Sequence, residues 1–196
     1  MIKVIVFIGV CLLISGEASA QAEQTTPSST NSAEMYQRAN DLFIKGQYAA
    51  ALPLYQYLAE QGNPGAQSNL GYMYGTGQGV TQDYNQAVYW YNKAADQGYA
   101  KAQHNLGQIY RLGIGETRDY NKAVYWFRKS AEQGMARGQY NLGTMYEKGL
   151  GVPKDDTQAV YWFRKAAEQG YAIGQNNLGD MYDNGYGVAQ DYNQAV

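Results

Sequence analysis

The 196-residue chain is 45% hydrophobic and 16% charged, with a formal net charge of −2, so it can bury an ordinary core and carries no excess of Lys and Arg for neutralising a phosphate backbone. One cysteine and one histidine leave too few ligands for a Cys/His metal site, and no cofactor is expected. Twenty tyrosines and 23 glycines point to a unit that uses the same residues repeatedly.

In chain order, the first element is a leader. Met1, Ile2 and Lys3 form a short basic start, residues 4–14 an apolar core, and Ala18-Ser19-Ala20 a small-residue cleavage site. The apolar core is shorter than the roughly 20 residues a spanning helix needs. Residues 1–20 therefore read as a signal peptide, with no membrane span after cleavage and no lipid anchor at Cys11, which follows Val10 inside the apolar run. Cleavage would also remove the one cysteine. Residues 21–33 are polar and lack an apolar period, as in a disordered linker. The expected location is periplasmic or secreted, and the absence of any Asn-x-Ser/Thr sequon favours a bacterial envelope.

Residues 34–64 have the spacing of a tetratricopeptide-like helical hairpin, through Ala39, Phe43, Gly46, Tyr48, Ala51, Leu54, Tyr55 and Leu58. Pro53 is expected to kink or delay its second helix. This hairpin would cap the N-terminal end of a helical stack.

From Gly65 the chain repeats itself every 36 residues, as 65–100, 101–136, 137–172 and an incomplete 173–196. AlaGlnSerAsnLeuGly at 66 returns as AlaGlnHisAsnLeuGly at 102, GlyGlnTyrAsnLeuGly at 138 and GlyGlnAsnAsnLeuGly at 174. Each complete copy holds two helical stripes. Ala66, Leu70 and Tyr74, with Met73, define the first; Ala87, Trp90, Tyr91, Ala94 and Ala95 define the second. Asp83, Asp119, Asp155 and Asp191 occupy the N-cap position of the second helix. Gly98, Gly134 and Gly170 close it. Between the helices lies a Gly-x-Gly turn: Gly77 and Gly79, Gly113 and Gly115, Gly149 and Gly151, Gly185 and Gly187. Its recurrence without a preceding strand argues against a dinucleotide-binding loop. The stop at Val196, just inside a second helix, suggests a longer parent array.

Leu-Gly-x-x-Tyr-x-x-Gly-x-Gly-Val-x-x-Asp-Tyr-x-x-Ala-Val-x-Trp, from Leu70 to Trp90, strongly resembles the Sel1-like repeat, a relative of the tetratricopeptide repeat. The resemblance implies an all-α fold, a right-handed α-solenoid of antiparallel helix pairs, and a role as adaptor or scaffold for a protein or peptide partner. It implies no catalytic residue. Some cysteine-rich Sel1-like proteins are described as penicillin-binding or β-lactamase-like, but this chain lacks their cysteine pair in each repeat. The alternatives are therefore an envelope enzyme of β-lactamase-like or peptidoglycan-acting type, or a non-catalytic glycan binder. The oligomeric state is left open.

Comparison of the four copies separates positions the repeat fixes from those it leaves free. On a wheel advancing about 100° per residue, one face of the first helix differs in every copy. It reads Ser68, Tyr72, Gly75 and Thr76, then His104, Gln108, Arg111 and Leu112, then Tyr140, Thr144, Glu147 and Lys148, then Asn176, Asp180, Asp183 and Asn184. First helices of such hairpins line the concave side of the superhelix, so this stripe is the candidate partner-binding surface. The alternative is that these positions are exposed and simply drift. The invariant Asn69, Asn105, Asn141 and Asn177 beside it are read as ties between repeats. Trp90, Trp126 and Trp162 are read as core.

Overall fold

The computed structural model describes residues 29–194. Among them run nine helices and no strand: α1 Ser29–Ile44, α2 Tyr48–Glu60, α3 Pro64–Thr76, α4 Tyr84–Asp96, α5 Ala100–Leu112, α6 Tyr120–Glu132, α7 Ala136–Lys148, α8 Asp156–Ala167 and α9 Ala172–Asn184. Each helix packs against its neighbours in sequence, which makes an α-solenoid. The expected signal peptide lies outside the described residues, as do residues 21–28 of the expected linker. Residues 29–33 of that linker are helical, because α1 begins at Ser29. Pro53 does not delay α2, which starts five residues earlier, at Tyr48, and runs through it.

The recurrent aspartates cap the second helices. Asp83, Asp119 and Asp155 accept hydrogen bonds from the backbone N–H groups of Gln86, Lys122 and Gln158 at 3.0, 3.0 and 2.9 Å. Asp191, after which no helix is assigned among the described residues, accepts one from Asn193 N–H, two rather than three residues on, at 3.0 Å. The same aspartates close the interhelical loop through their own N–H groups, which donate to Tyr74, Tyr110, Tyr146 and Tyr182 carbonyls. One residue type therefore satisfies a helix start and ties the loop to the end of the preceding helix.

The core of each repeat depends on a glycine facing a ring. Gly71, Gly107 and Gly143 leave room for Tyr91, Phe127 and Phe163 of the following helix; a Cβ at Gly107 would lie 2.5 Å from the Phe127 ring. Phe127 and Phe163 are fully buried, each contributing about 1.5–3 kcal/mol by removal from water. The tryptophans sit at the edge of this core. Trp90, Trp126 and Trp162 are half-buried and meet Tyr89, Tyr125 and Tyr161 edge-on at 4.9 Å. Val88, Val124 and Val160 are buried instead.

Two devices join one repeat to the next. The first glycine of each Gly-x-Gly turn ends a helix in the left-handed conformation, as expected, but the second is a contact point. Gly79, Gly115, Gly151 and Gly187 abut Tyr48, Tyr84, Tyr120 and Asp156, the first residue of a second helix in the preceding unit. The other device is a glutamine clamp. Gln97, Gln133 and Gln169 each donate from Nε2 to Oε1 of Gln67, Gln103 and Gln139 at 2.7 Å. These three in turn donate to the carbonyls of Ala59, Ala95 and Ala131. Each acceptor glutamine is thus shared between the end of the helix before it and the end of the helix after it.

Candidate binding face

The first helices α1, α3, α5 and α7 lie side by side and are laced by polar side chains. Asn69 Nδ2 donates to Asn40 Oδ1 (3.2 Å), and Lys101 Nζ donates to Asn69 Oδ1 (3.4 Å). Asn141 Nδ2 donates to His104 Nε2 (3.0 Å) and to the Arg137 carbonyl (2.8 Å). Asn69 and Asn141 thus bond across repeats, as the sequence suggested for the invariant asparagines. The Asn141 amide fixes the imidazole tautomer: Nε2 accepts, so the proton sits on Nδ1 and points to Asn105 Oδ1 at 3.3 Å.

The variable stripe is not uniformly exposed. Ser68 is wholly buried with its hydroxyl unpartnered, and His104 is 7% exposed against Phe127. These two cannot serve as a free surface. A helical wheel places them outward, but the residue at this position leans over the ring of its own repeat's second helix, as Tyr140 does over Phe163. Gln108, Arg111, Tyr140, Thr144 and Glu147 are half-buried, while Tyr72, Thr76, Lys148, Asn176 and Asp180 are exposed. Thr76 and Thr144 spend their hydroxyls on carbonyls one turn back.

Four stripe residues converge on one recess of about 230 Å³. Tyr72, Gly75 and Thr76 of α3 form one wall, Tyr84, Ala87 and Tyr91 of α4 the base, and Asn105, Gln108, Ile109 and Ile114 the other wall. The recess exists because Gly75 stands where the other copies carry Arg111, Glu147 and Asp183. A Cβ at Gly75 would make only an ordinary 3.6 Å contact with Ala87, so the site tolerates a side chain and gains space from lacking one. Burial pushes the Tyr91 phenol above its usual range, so it is neutral and available only as a hydrogen-bonding group.

Cationic side chains lie near Lys101 and His104. Burial, and then the Arg137 guanidinium, hold the Lys101 ammonium below the usual lysine range. Burial is also the main cause that lowers His104; the Asn105 hydrogen bond opposes it, while Arg137 and Arg111 add to it. Arg111 donates from Nε to Gln108 Oε1 at 2.8 Å, which holds its base against the recess wall. The ion pairs among the described residues, Lys154 with Asp156 and Lys165 with Glu168, lie elsewhere.

His104 has both ring nitrogens engaged by asparagine amides, and the Ser68 hydroxyl bonds to nothing among the described residues. No described group of three His, Cys, Asp or Glu side chains is clustered as a metal would need, and no described helix is long and apolar enough to cross a membrane.

Known proteins resemble the chain in both sequence and shape. The family model described as Sel1 repeat matches residues 64–99, 100–135, 136–171 and 172–196. No curated protein matches. Among solved structures, c5321, a protective antigen present in uropathogenic Escherichia coli strains and displaying an SLR fold, is 40% identical with a TM-score of 0.78 over 85% of this chain and 36% of its own. A Sel1 repeat protein from Oxalobacter formigenes is 38% identical with a TM-score of 0.75 over 81% of this chain and 65% of its own. This chain thus spans about a third of the first and just under two thirds of the second. Sel1 repeats in general serve protein–protein interaction rather than catalysis. With the motif, the helix pairs and the repeat matches in agreement, the chain belongs to the Sel1 repeat family.

Proposed function

We propose that this protein is an exported, non-catalytic interaction scaffold whose concave face, built from the first helices, binds a peptide or a segment of a protein partner. The observation that carries the reading is the convergence of Tyr72, Gly75, Thr76 and Gln108, all at positions that change from copy to copy, on a single recess. Drift at exposed positions has no reason to concentrate on a cavity lined by three tyrosines and two isoleucines. An apolar side chain of the partner fills the recess, and the amides of Asn105 and Gln108 face its backbone. Export rests on the leader read in residues 1–20.

The test is selection of peptides from a displayed random library against the purified protein, followed by titration of the best binders. Gly75→Arg, which plugs the recess with a residue the second copy carries at that position, should weaken them by at least about tenfold. Tyr125→Ala, on a second helix, should leave them unchanged. Binding indifferent to Gly75→Arg would remove the recess from the function. Export is checked separately by fusing residues 1–33 to a reporter active only outside the cytoplasm.

A further inference from the structure

The four interhelical loops share one register, from the first glycine of the Gly-x-Gly turn to the capping aspartate: 77–83, 113–119, 149–155 and 185–191. Three of them are pinned by a valine. Val80, Val152 and Val188 are half-buried against the core, whereas the second loop carries Glu116 at that position, exposed and without an ion pair among the described residues. A side-chain staple is missing from the same loop. Gln82 donates from Nε2 to the Gly75 carbonyl (2.8 Å) and the Tyr84 hydroxyl (3.0 Å), and Gln190 does the same with the Asp183 carbonyl and the Tyr192 hydroxyl, both at 2.7 Å. Each glutamine ties its loop back to the helix before it. The third loop is stiffened by Pro153 and by an ion pair of Lys154 with Asp156 at 3.3 Å. Arg118, at the glutamine position of the second loop, instead lies over the Tyr120 ring at 5.4 Å, a contact that does not reach back to α5.

The loop that lacks both fasteners is the one that walls the recess at Gly75. Ile114 lines that recess, and Gly115 rests on Tyr84, which forms part of its base. Resting on the reading of this recess as the partner's site, we infer that Glu116 and Arg118 set its breadth of specificity: they leave the 113–118 loop unpinned, so Ile114 shifts to fit apolar side chains of different size. Neither residue lines the recess, so both act as positioning residues through Ile114. A pinned wall would select one shape, because a side chain too small leaves a cavity and one too large forces strain. Adaptable loops are a known route to accepting several partners. The repeat itself does not call for glutamate here, since the other three copies place valine at this position.

The double variant Glu116→Val, Arg118→Gln gives the second loop the valine and glutamine of the first, and circular dichroism verifies that it is folded. Amide exchange reads the fastening directly, because the loops keep the same backbone bonds: Gln78, Ile114 and Leu150 donate to the carbonyls of Met73, Ile109 and Met145, and Asp83, Asp119 and Asp155 to those of Tyr74, Tyr110 and Tyr146. In the wild type, Ile114 and Asp119 should exchange at least about tenfold faster than their equivalents in the first and third loops, and the double variant should erase the difference. Peptides selected against the wild type are then varied only at the residue that fills the recess. The Leu, Phe and Trp forms should bind the wild type within about threefold of one another, and the double variant with a spread of at least about tenfold. Equal exchange in the three loops, or an unchanged spread in the double variant, would overturn this inference and leave the recess standing as a binding site. If the wild type selects no peptide that Gly75→Arg weakens, the reading of the site falls and this inference with it.

Discussion

Replacing Gln103 by Met isolates the clamp that joins repeats. The side chain is 3% exposed and makes two hydrogen bonds: it donates to the Ala95 carbonyl at 3.2 Å and accepts from Gln133 at 2.7 Å. Methionine keeps the length and unbranched shape but makes neither bond. No orphan penalty is expected, since Ala95 O still accepts from Gly98 N–H and the Gln133 side chain, at an exposed position, can turn to water. The loss is then two net hydrogen bonds at about 0.5–1.5 kcal/mol each, about 1.5–2 kcal/mol in all after some gain from the thioether. For an array of this size that lowers the melting temperature by about 3–8 °C. Urea unfolding followed by helical circular dichroism measures it, and because repeats cooperate through their interfaces the transition should also broaden. A cycle with Gln133→Ala should return a coupling of about 0.5–1 kcal/mol. A loss below a few tenths of a kcal/mol, or strict additivity in the cycle, would refute the clamp.

Three further outcomes are expected. Gly115→Ala combines a positive φ of 69° with a Cβ driven into Tyr84, so it should cost more than the ~1–2 kcal/mol of the left-handed conformation alone; Gly98→Ala, at φ 83° with open space around it, should cost only that. Equal losses in the two variants would show that the second glycine is merely a turn. Asp119→Ala should destabilise by about 1 kcal/mol in the same unfolding assay, through loss of its 3.0 Å bond to Lys122 N–H. His104, whose folded pKa is depressed, contributes stability that is full above the unfolded value of about 6.5 and is lost as pH falls toward the folded value. The wild type should therefore lose stability below about pH 6.5 more steeply than His104→Asn, which borrows the residue of the fourth copy. Arg137→Gln should flatten the slope, and parallel pH profiles for all three proteins would contradict this account.

How much of the site was legible depends on the range of each interaction. The caps at Asp83, Asp119 and Asp155 act on N–H groups three residues away, so they could be read from spacing alone. The Gly75 recess was half visible. Copy-to-copy comparison marked Tyr72, Thr76 and Gln108 as free, but that they meet around a missing side chain depends on α4 and α5 closing the other sides. The glutamine clamp left a signal that went unused: Gln67, Gln103 and Gln139 and their donors Gln97, Gln133 and Gln169 are invariant across the copies that hold them. Invariance within an array can mark the joints between units as well as the core of each.

The sequence by itself determined the family, the repeat length, the helix pairs and their ends, because all of these are set by local periodicity and by residues within one or two turns of each other. Only the tertiary structure decided that Ser68 and His104 are covered, that Gly115 bears on Tyr84, and that Gln103 is shared between the Ala95 carbonyl and the Gln133 side chain. Those facts join residues about a repeat apart, and burial and electrostatics depend on what lies opposite a side chain, which no single helix specifies.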